Sequence, residues 1–318
     1  MSSNADQTIR PIRTTWYKSP TLVITIGIIA VSSAALFIRF AQKEMPSLVI
    51  AAYRLGFASI LMTPWVLRQH RNEIIGINRG DWIRIISAGF LLAIHFASWI
   101  SSLEYTSVSS SVVLVTTTPI WVALFSPIFL KEKTNRMTIL GLMVAILGGV
   151  IVSLANECTV SLAGIACIST RNFSNSGAML GDALALDGAI CASFYLMISR
   201  VLRKTVDLSV YVYCIFSSAA LFLIMFVLLT GKSFFPYSPA AFIYCLALAI
   251  FPQIVGHTSL NWALAYLPVG FVALVLLGEP VGSTILAAIF LKEIPTLIEL
   301  IGGVTILTGI YLASRKPE

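Results

Sequence analysis

The chain has 318 residues, 58% hydrophobic and only 11% charged, with a mean hydropathy of +0.91 and a net charge of +7. A soluble domain carries roughly a quarter charged residues, so this composition excludes an ordinary soluble fold and points to a polytopic membrane protein. The positive charge lies in short segments between apolar runs, which is a topology signal and gives no case for nucleic-acid binding.

Residues 1–19 are polar and basic, with no apolar core followed by a small-residue cleavage site. They read as a cytoplasmic N-terminal tail without a removable signal peptide. Ten apolar runs follow, at 20–41, 47–67, 82–103, 107–130, 136–155, 179–201, 208–230, 239–264, 267–291 and 296–314. Each can cross a ~30 Å hydrocarbon layer as a helix. Helices are expected because lipid offers no partner for open backbone groups, and barrel strands would be half as long and alternating. The fold class read here is an all-α integral membrane protein with ten transmembrane helices.

Orientation follows from the Lys and Arg residues. With the loops taken alternately, 15 of the 21 fall on the side of the N-terminus, including Arg68, Arg71, Lys131, Lys133, Arg203 and Arg315. Five fall on the other side (Arg39, Lys43, Arg171, Lys232 and Lys292), and Arg54 lies within a span. Basic short loops stay inside, so both termini are expected in the cytoplasm of a cell (inner or plasma) membrane protein, with 156–178 as an external linker loop. Cys158 and Cys167 lie in that loop and can either pair or remain inert thiols, whereas Cys191, Cys214 and Cys245 sit inside spans as small apolar groups. Asn172 to Gly177 read as a flexible polar linker.

One segment is nearly written twice: PIWVALFSPIFLKE at 119–132 and PVGSTILAAIFLKE at 280–293, an offset of 161. At the same offset Leu103, Tyr105 and Val108 match Leu264, Tyr266 and Val269, while Gly141 and Gly148 match Gly302 and Gly309. Arg39 and Lys43 fall on Arg200 and Lys204. Residues 20–155 and 179–315 are therefore two copies of one unit. Five spans per copy is an odd number, so the second copy is expected upside down. Inverted repeats are characteristic of secondary transporters, whose alternating access exchanges the conformations of the halves.

At these residues the chain resembles the drug/metabolite transporter superfamily, specifically its ten-helix EamA-type exporters. The resemblance rests on Tyr105, Pro119, Lys131-Glu132, Gly141 and Gly148, on Tyr266, Glu279-Pro280, Glu293, Gly302 and Gly309, and on the run Gly181 to Leu186. It implies a cavity lined mainly by spans one to four and six to nine, and it names no cargo. The long loop 156–178 and Asp187, at a usually apolar position, depart from the family pattern.

The candidate substrate-binding residues are Glu279, His257, Gln253, Asn261, His95, Trp99, Arg54 and Asp187, with Pro119 and Pro280 as hinges. Glu279 lies mid-span, where a carboxylate costs about 2.5–3.5 kcal/mol on insertion scales. Beside Pro280, which cannot continue the backbone ladder, it reads either as a substrate or proton site or as a structural carboxyl held between helices. Thr118-Pro119 is its counterpart, either a kink or a hinge with hydroxyls facing cargo. Gln253, His257 and Asn261 recur every fourth residue, as a cavity wall or an interhelical bonding stripe. His95, Ser98, Trp99 and Ser102 form a similar stripe. Arg54, about 10 Å deep, reads as the partner of Asp182 or Asp187, or as a contact for a cargo carboxylate.

The three histidines show no paired metal spacing and no Walker glycine loop is present, so no metal, cofactor or enzymatic activity is expected. The reading is a secondary transporter exporting a small amino-acid-like or drug-like metabolite. Its partners would be that small-molecule substrate, membrane lipid and a coupling proton, with a homodimer left open. The competing readings are a membrane-embedded lipid-modifying enzyme and a non-transporting receptor or scaffold; neither accounts for an inverted duplication.

Overall fold

The computed structural model describes residues 20–105, 111, 114–132, 135–155, 158–161, 164–167, 176–291 and 297–314. Among the described residues six helical stretches are long and apolar enough to cross a bilayer: Pro20–Ala41, Ser47–Gln69, Arg79–Tyr105, Met179–Leu202, Leu208–Leu229 and Pro239–Ala263. At the four other expected crossings the described apolar helices are shorter: Thr118–Phe129, Arg136–Gly148, Val269–Ser283 and Leu300–Ala313. Leu22, Ile29, Ile60, Leu124, Met143, Leu221 and Val304 turn large apolar side chains outward, as a lipid-facing belt requires.

Several helices are interrupted, each with a local chemical cause. The first crossing divides into α1 (Pro20–Ser32) and α2 (Ala34–Ala41). There Ser32 and Ser33 donate their hydroxyls back to the carbonyls of Ile28 and Ala30 at 2.7 Å, which competes with the backbone ladder. After α3 (Ser47–Gln69) and the short α4 (Arg71–Ile75) comes α5 (Arg79–Tyr105). The fourth crossing turns at Thr116 and Thr117 before α6 (Thr118–Phe129), so Pro119 sits in a first turn rather than mid-helix. A proline is tolerated there because its missing N–H would have had no partner. α7 (Arg136–Ala155) completes the first copy.

The second copy begins with α8 (Ser176–Leu202) and α9 (Leu208–Leu229), the latter capped by Asp207, whose carboxylate accepts from Ser209 N at 2.8 Å. The next crossing runs through α10 (Pro239–Leu248), a π-helical stretch (Ala249–His257) and α11 (Thr258–Ala263). Pro252 lies inside the π stretch and brings no N–H; widening the ladder accommodates it. The next stretch is α12 (Val269–Val275), a 3₁₀ turn (Leu276–Gly278) and α13 (Glu279–Leu291). α14 (Leu297–Ser314) ends the described chain.

The chain is helical as expected, with one short extended element in the linker between the copies. Cys158–Ser161 and Gly164–Cys167 form an antiparallel two-stranded ladder, β1 and β2, with Cys158 opposite Cys167. Alternating Thr159-Val160 and Ile165 suit a strand, and a short open edge is acceptable away from hydrocarbon. Ser176 and Gly177, expected in a flexible linker, belong instead to α8.

The two copies meet through a symmetric seam. A Cβ added to Gly148 would lie 2.7 Å from the Gly302 carbonyl, and Gly309 approaches Ala145 N in the same way at 2.6 Å. Gly141 faces Gly309, and Gly148 faces Gly302. Ascending residues on α7 thus meet descending residues on its repeat mate α14, so the helices are antiparallel, as inversion demands. Gly27 against Gly256 and Ser259 is echoed by its mate Gly188 against His95 and Trp99. Close backbone approach at small residues is the usual way that helices associate in lipid.

Candidate functional site

The two helix breaks coincide under the repeat: Thr117, Thr118 and Pro119 correspond to Gly278, Glu279 and Pro280. Both new half-helices start at one central cavity of about 70 Å³, with Thr116, Thr118, Pro119 and Glu279 in its wall. Arg54, His95, Phe96, Trp99, Tyr195, His257 and Asn261 complete the polar and aromatic lining, with Val31, Leu92 and Leu276 among the apolar residues. Both breaks are local tightenings of a chain that stays right-handed helical: Thr117, Val275 and Glu279 keep helical angles, and Glu279 N donates to the Leu276 carbonyl.

Arg54 is the deepest charge, 1% exposed. The expected ion pair with Asp182 or Asp187 is replaced by other contacts. Its Nε donates to Gln253 Oε1 at 2.8 Å, and its guanidinium lies over the Phe96 ring, 4.1 Å from the centroid. Pairing with a neutral amide and an aromatic face holds the cation in place without neutralising it. Its Nη1 is buried and has no hydrogen-bond partner, and neither has Trp99 Nε1. Glu279 shares the cavity with Arg54, yet among the described residues no ion pair within 4.0 Å joins the two.

The remaining candidates separate into two groups. His95 and His257 line the cavity. His95 Nδ1 donates to the Gly188 carbonyl at 2.9 Å while its ring stacks on Trp99 at 6.0 Å and 13°, and His257 meets the Phe96 edge at 5.3 Å. Gln253, fully buried, is engaged with Arg54 and is absent from the wall. Asn261 touches the cavity but is committed to a buried network. Its Nδ2 donates to Tyr195 Oη at 2.7 Å and to the His257 carbonyl at 2.8 Å, and its Oδ1 accepts from Tyr211 Oη at 3.0 Å. Asp187 is exposed and outside the wall, where it accepts from Ser98 Oγ at 2.7 Å. Its expected place in the cavity is therefore corrected: α8 turns it away while Tyr195, two turns on, faces in.

Phe96 and Tyr195 were missed by sequence reasoning, because a lone aromatic in a membrane helix carries no sign of what it packs against. Among the described residues one group could offer three ligands to a metal ion: His70, Glu73 and Asp207. It lies at helix ends, where Glu73 pairs with His70 at 3.1 Å and Asp207 acts as a cap, so both carboxylates already have roles.

A polytopic helical protein with twinned helix breaks around a buried polar cavity has the build of a membrane transporter. The chain belongs to the EamA-like transporter family, which matches residues 18–154 and again 179–315. It is 25% identical over 302 residues to an uncharacterized transporter of Archaeoglobus fulgidus, covering 93% of this chain and 97% of the relative. It is 26% identical over 204 residues to the uncharacterized transporter YdfC of Bacillus subtilis, covering 64% and 61%. A solved crystal structure of a protein shares the fold at a TM-score of 0.74 with 17% identity, over 94% of this chain and 97% of that one. This is a multi-pass membrane transporter, a class that is generally non-enzymatic.

Proposed function

We propose that the chain exports a small amino-acid-like or drug-like metabolite through the central cavity, by alternating access between the inverted repeats 20–155 and 179–315. The observation that carries this reading is the pairing of breaks: Thr116-Thr117 before α6 and Leu276–Gly278 before α13 open at equivalent positions onto one cavity. Discontinuous helices with N-termini at mid-depth are the usual construction of a substrate site between repeats. Exchange of conformation between two copies then shuts one side while opening the other.

The distribution of Lys and Arg supports an inner- or plasma-membrane protein with the tail 1–19 and the C-terminus in the cytoplasm and the linker 156–178 outside. Coupling to a proton rests on Glu279, the carboxyl of the cavity wall. Purified protein reconstituted in liposomes tests the reading by solute counterflow, with external labelled solute drawn in against an internal unlabelled pool. Counterflow across an amino-acid and metabolite panel is expected for at least one solute, and none for protein-free liposomes. Absence of flux across the whole panel would overturn the transport reading for those solutes.

A further inference from the structure

We propose that the cavity takes its cargo by a carboxylate, seated on Arg54 Nη1 and Trp99 Nε1. This deepens the transport reading and rests on it. Both nitrogens are donors only, both are buried without a hydrogen-bond partner, and both side chains line the same cavity. An unsatisfied buried donor is costly, and an unsatisfied buried cation more so. Glu279 and several hydroxyls share the wall, but among the described residues no acceptor lies within hydrogen-bond distance of either nitrogen. Asn261 Oδ1 is already occupied by two tyrosine hydroxyls, and the Gln253 oxygen by Arg54 Nε.

The missing partner is therefore an acceptor brought by the ligand. A guanidinium edge fixed on one side by Gln253 and beneath by Phe96 presents a flat fork, which a planar carboxylate matches. A single negative charge suits the site better than a doubly charged phosphate, because Glu279 also faces the cavity. The present room, roughly two water volumes, accepts the head group; the rest of the cargo requires the aromatic wall to part.

Binding to the purified full chain is measured with two matched pairs, phenylacetate against phenylacetamide and L-phenylalanine against L-phenylalaninamide. In at least one pair the acid should bind about tenfold more tightly than the amide. Discrimination in the amino-acid pair alone identifies a zwitterionic head, and in the simple pair alone an organic acid; either supports the seat. Arg54→Lys, which replaces the fork with a point charge, should lose most of the discrimination. Trp99→Phe keeps an aromatic six-membered ring but loses the N–H with the rest of the indole, so it should lose part of it even if the arginine variant fails to fold. Equal or undetectable binding of acid and amide in both pairs overturns the proposal, as does discrimination unaltered by Trp99→Phe. Liposome flux separates the two readings. Acid binding without flux retains the seat and removes transport, whereas equal flux of acid and amide retains transport and removes the seat.

Discussion

Glu132 and Arg200, one from each repeat, form an ion pair of 2.8 Å between Oε1 and Nε. The other carboxylate oxygen accepts from Val269 N at 3.2 Å, and Arg200 Nη1 also reaches the Leu264 carbonyl. One pair thus ties the end of α6 to the ends of α8 and α11 and to the start of α12. At the 161-residue offset its mates are Arg39 and Glu293. Arg39 is exposed; Glu293 lies outside the described residues.

This pair is expected to lock the side that is shut here. Leu264→Cys, fully buried in this conformation, should react slowly with an impermeant maleimide. Adding Glu132→Gln should speed labelling about threefold to tenfold, since breaking a partly buried pair costs on the order of 1 kcal/mol. The swap Glu132→Arg with Arg200→Glu should restore slow labelling. Equal rates in all backgrounds would leave the pair as packing only.

Span eight should separate positioning from support. Gln253→Leu leaves Arg54 buried without its amide partner, so solute binding should fall with a stability loss of about 1–3 kcal/mol. Asn261→Leu strips Tyr195 and Tyr211 of their shared acceptor; its first effect should be a lower thermal midpoint, with binding per folded molecule retained. Wild-type behaviour of both variants would mean that neither contact matters.

The sequence carried the duplication, the polar stripes and the Glu-Pro break, because these are written as residue types at fixed spacing. It did not carry the destination of each side chain. Arg54 looked like the partner of an aspartate on entry-depth grounds, yet the widened π turn around Pro252 swings Gln253 onto it instead. Asp187 and Tyr195 share one helix, and only packing against α5 decides which of them faces the cavity. The hairpin around Cys158 to Cys167 was illegible for another reason: eight residues with only three β-branched side chains among them, Thr159, Val160 and Ile165, resemble a loop.

The glycine seam gives a contrast that composition alone does not predict. Gly148→Ala puts a Cβ 2.7 Å from the Gly302 carbonyl and should destabilise by about 1–3 kcal/mol, because backbone cannot yield as a side chain can. Gly56→Ala meets nothing within 4 Å and lies inside α3, so it should be neutral or stabilising by up to about 1 kcal/mol. Thermal unfolding in one detergent measures both. Equal midpoints would contradict the close approach of α7 and α14.

Topology is tested by single cysteines in a background without native thiols. Ser174→Cys should label from outside in intact cells, and Asn135→Cys only after permeabilisation. The reverse pattern would invert the proposed orientation. It would leave the cavity and its chemistry untouched, because an inverted duplication has the same core either way up.

The most demanding test concerns Glu279, which begins α13 and faces the cavity half-buried. One turn on, Ser283 Oγ donates to the Ser32 carbonyl at 2.9 Å, so α1 is docked on the start of the helix that carries the carboxyl. When the repeats exchange conformations, α1 and α13 should move together and carry Glu279 from one access path to the other. A carboxyl moved between two aqueous paths can take a proton from one and release it to the other. Glu279→Gln mimics the protonated form permanently, so it should insert normally and bind solute. It should lose accumulation driven by a pH gradient while retaining solute exchange, which needs no net proton movement. Glu279→Asp keeps an ionisable group and should retain part of the gradient-driven flux. A purely structural carboxyl makes the opposite forecast, since a neutral amide of nearly equal shape would serve as well. Gradient-driven uptake and exchange are measured side by side in liposomes; uptake by Glu279→Gln at the wild-type rate would rule out the proton role and leave Glu279 as a packing group at the break.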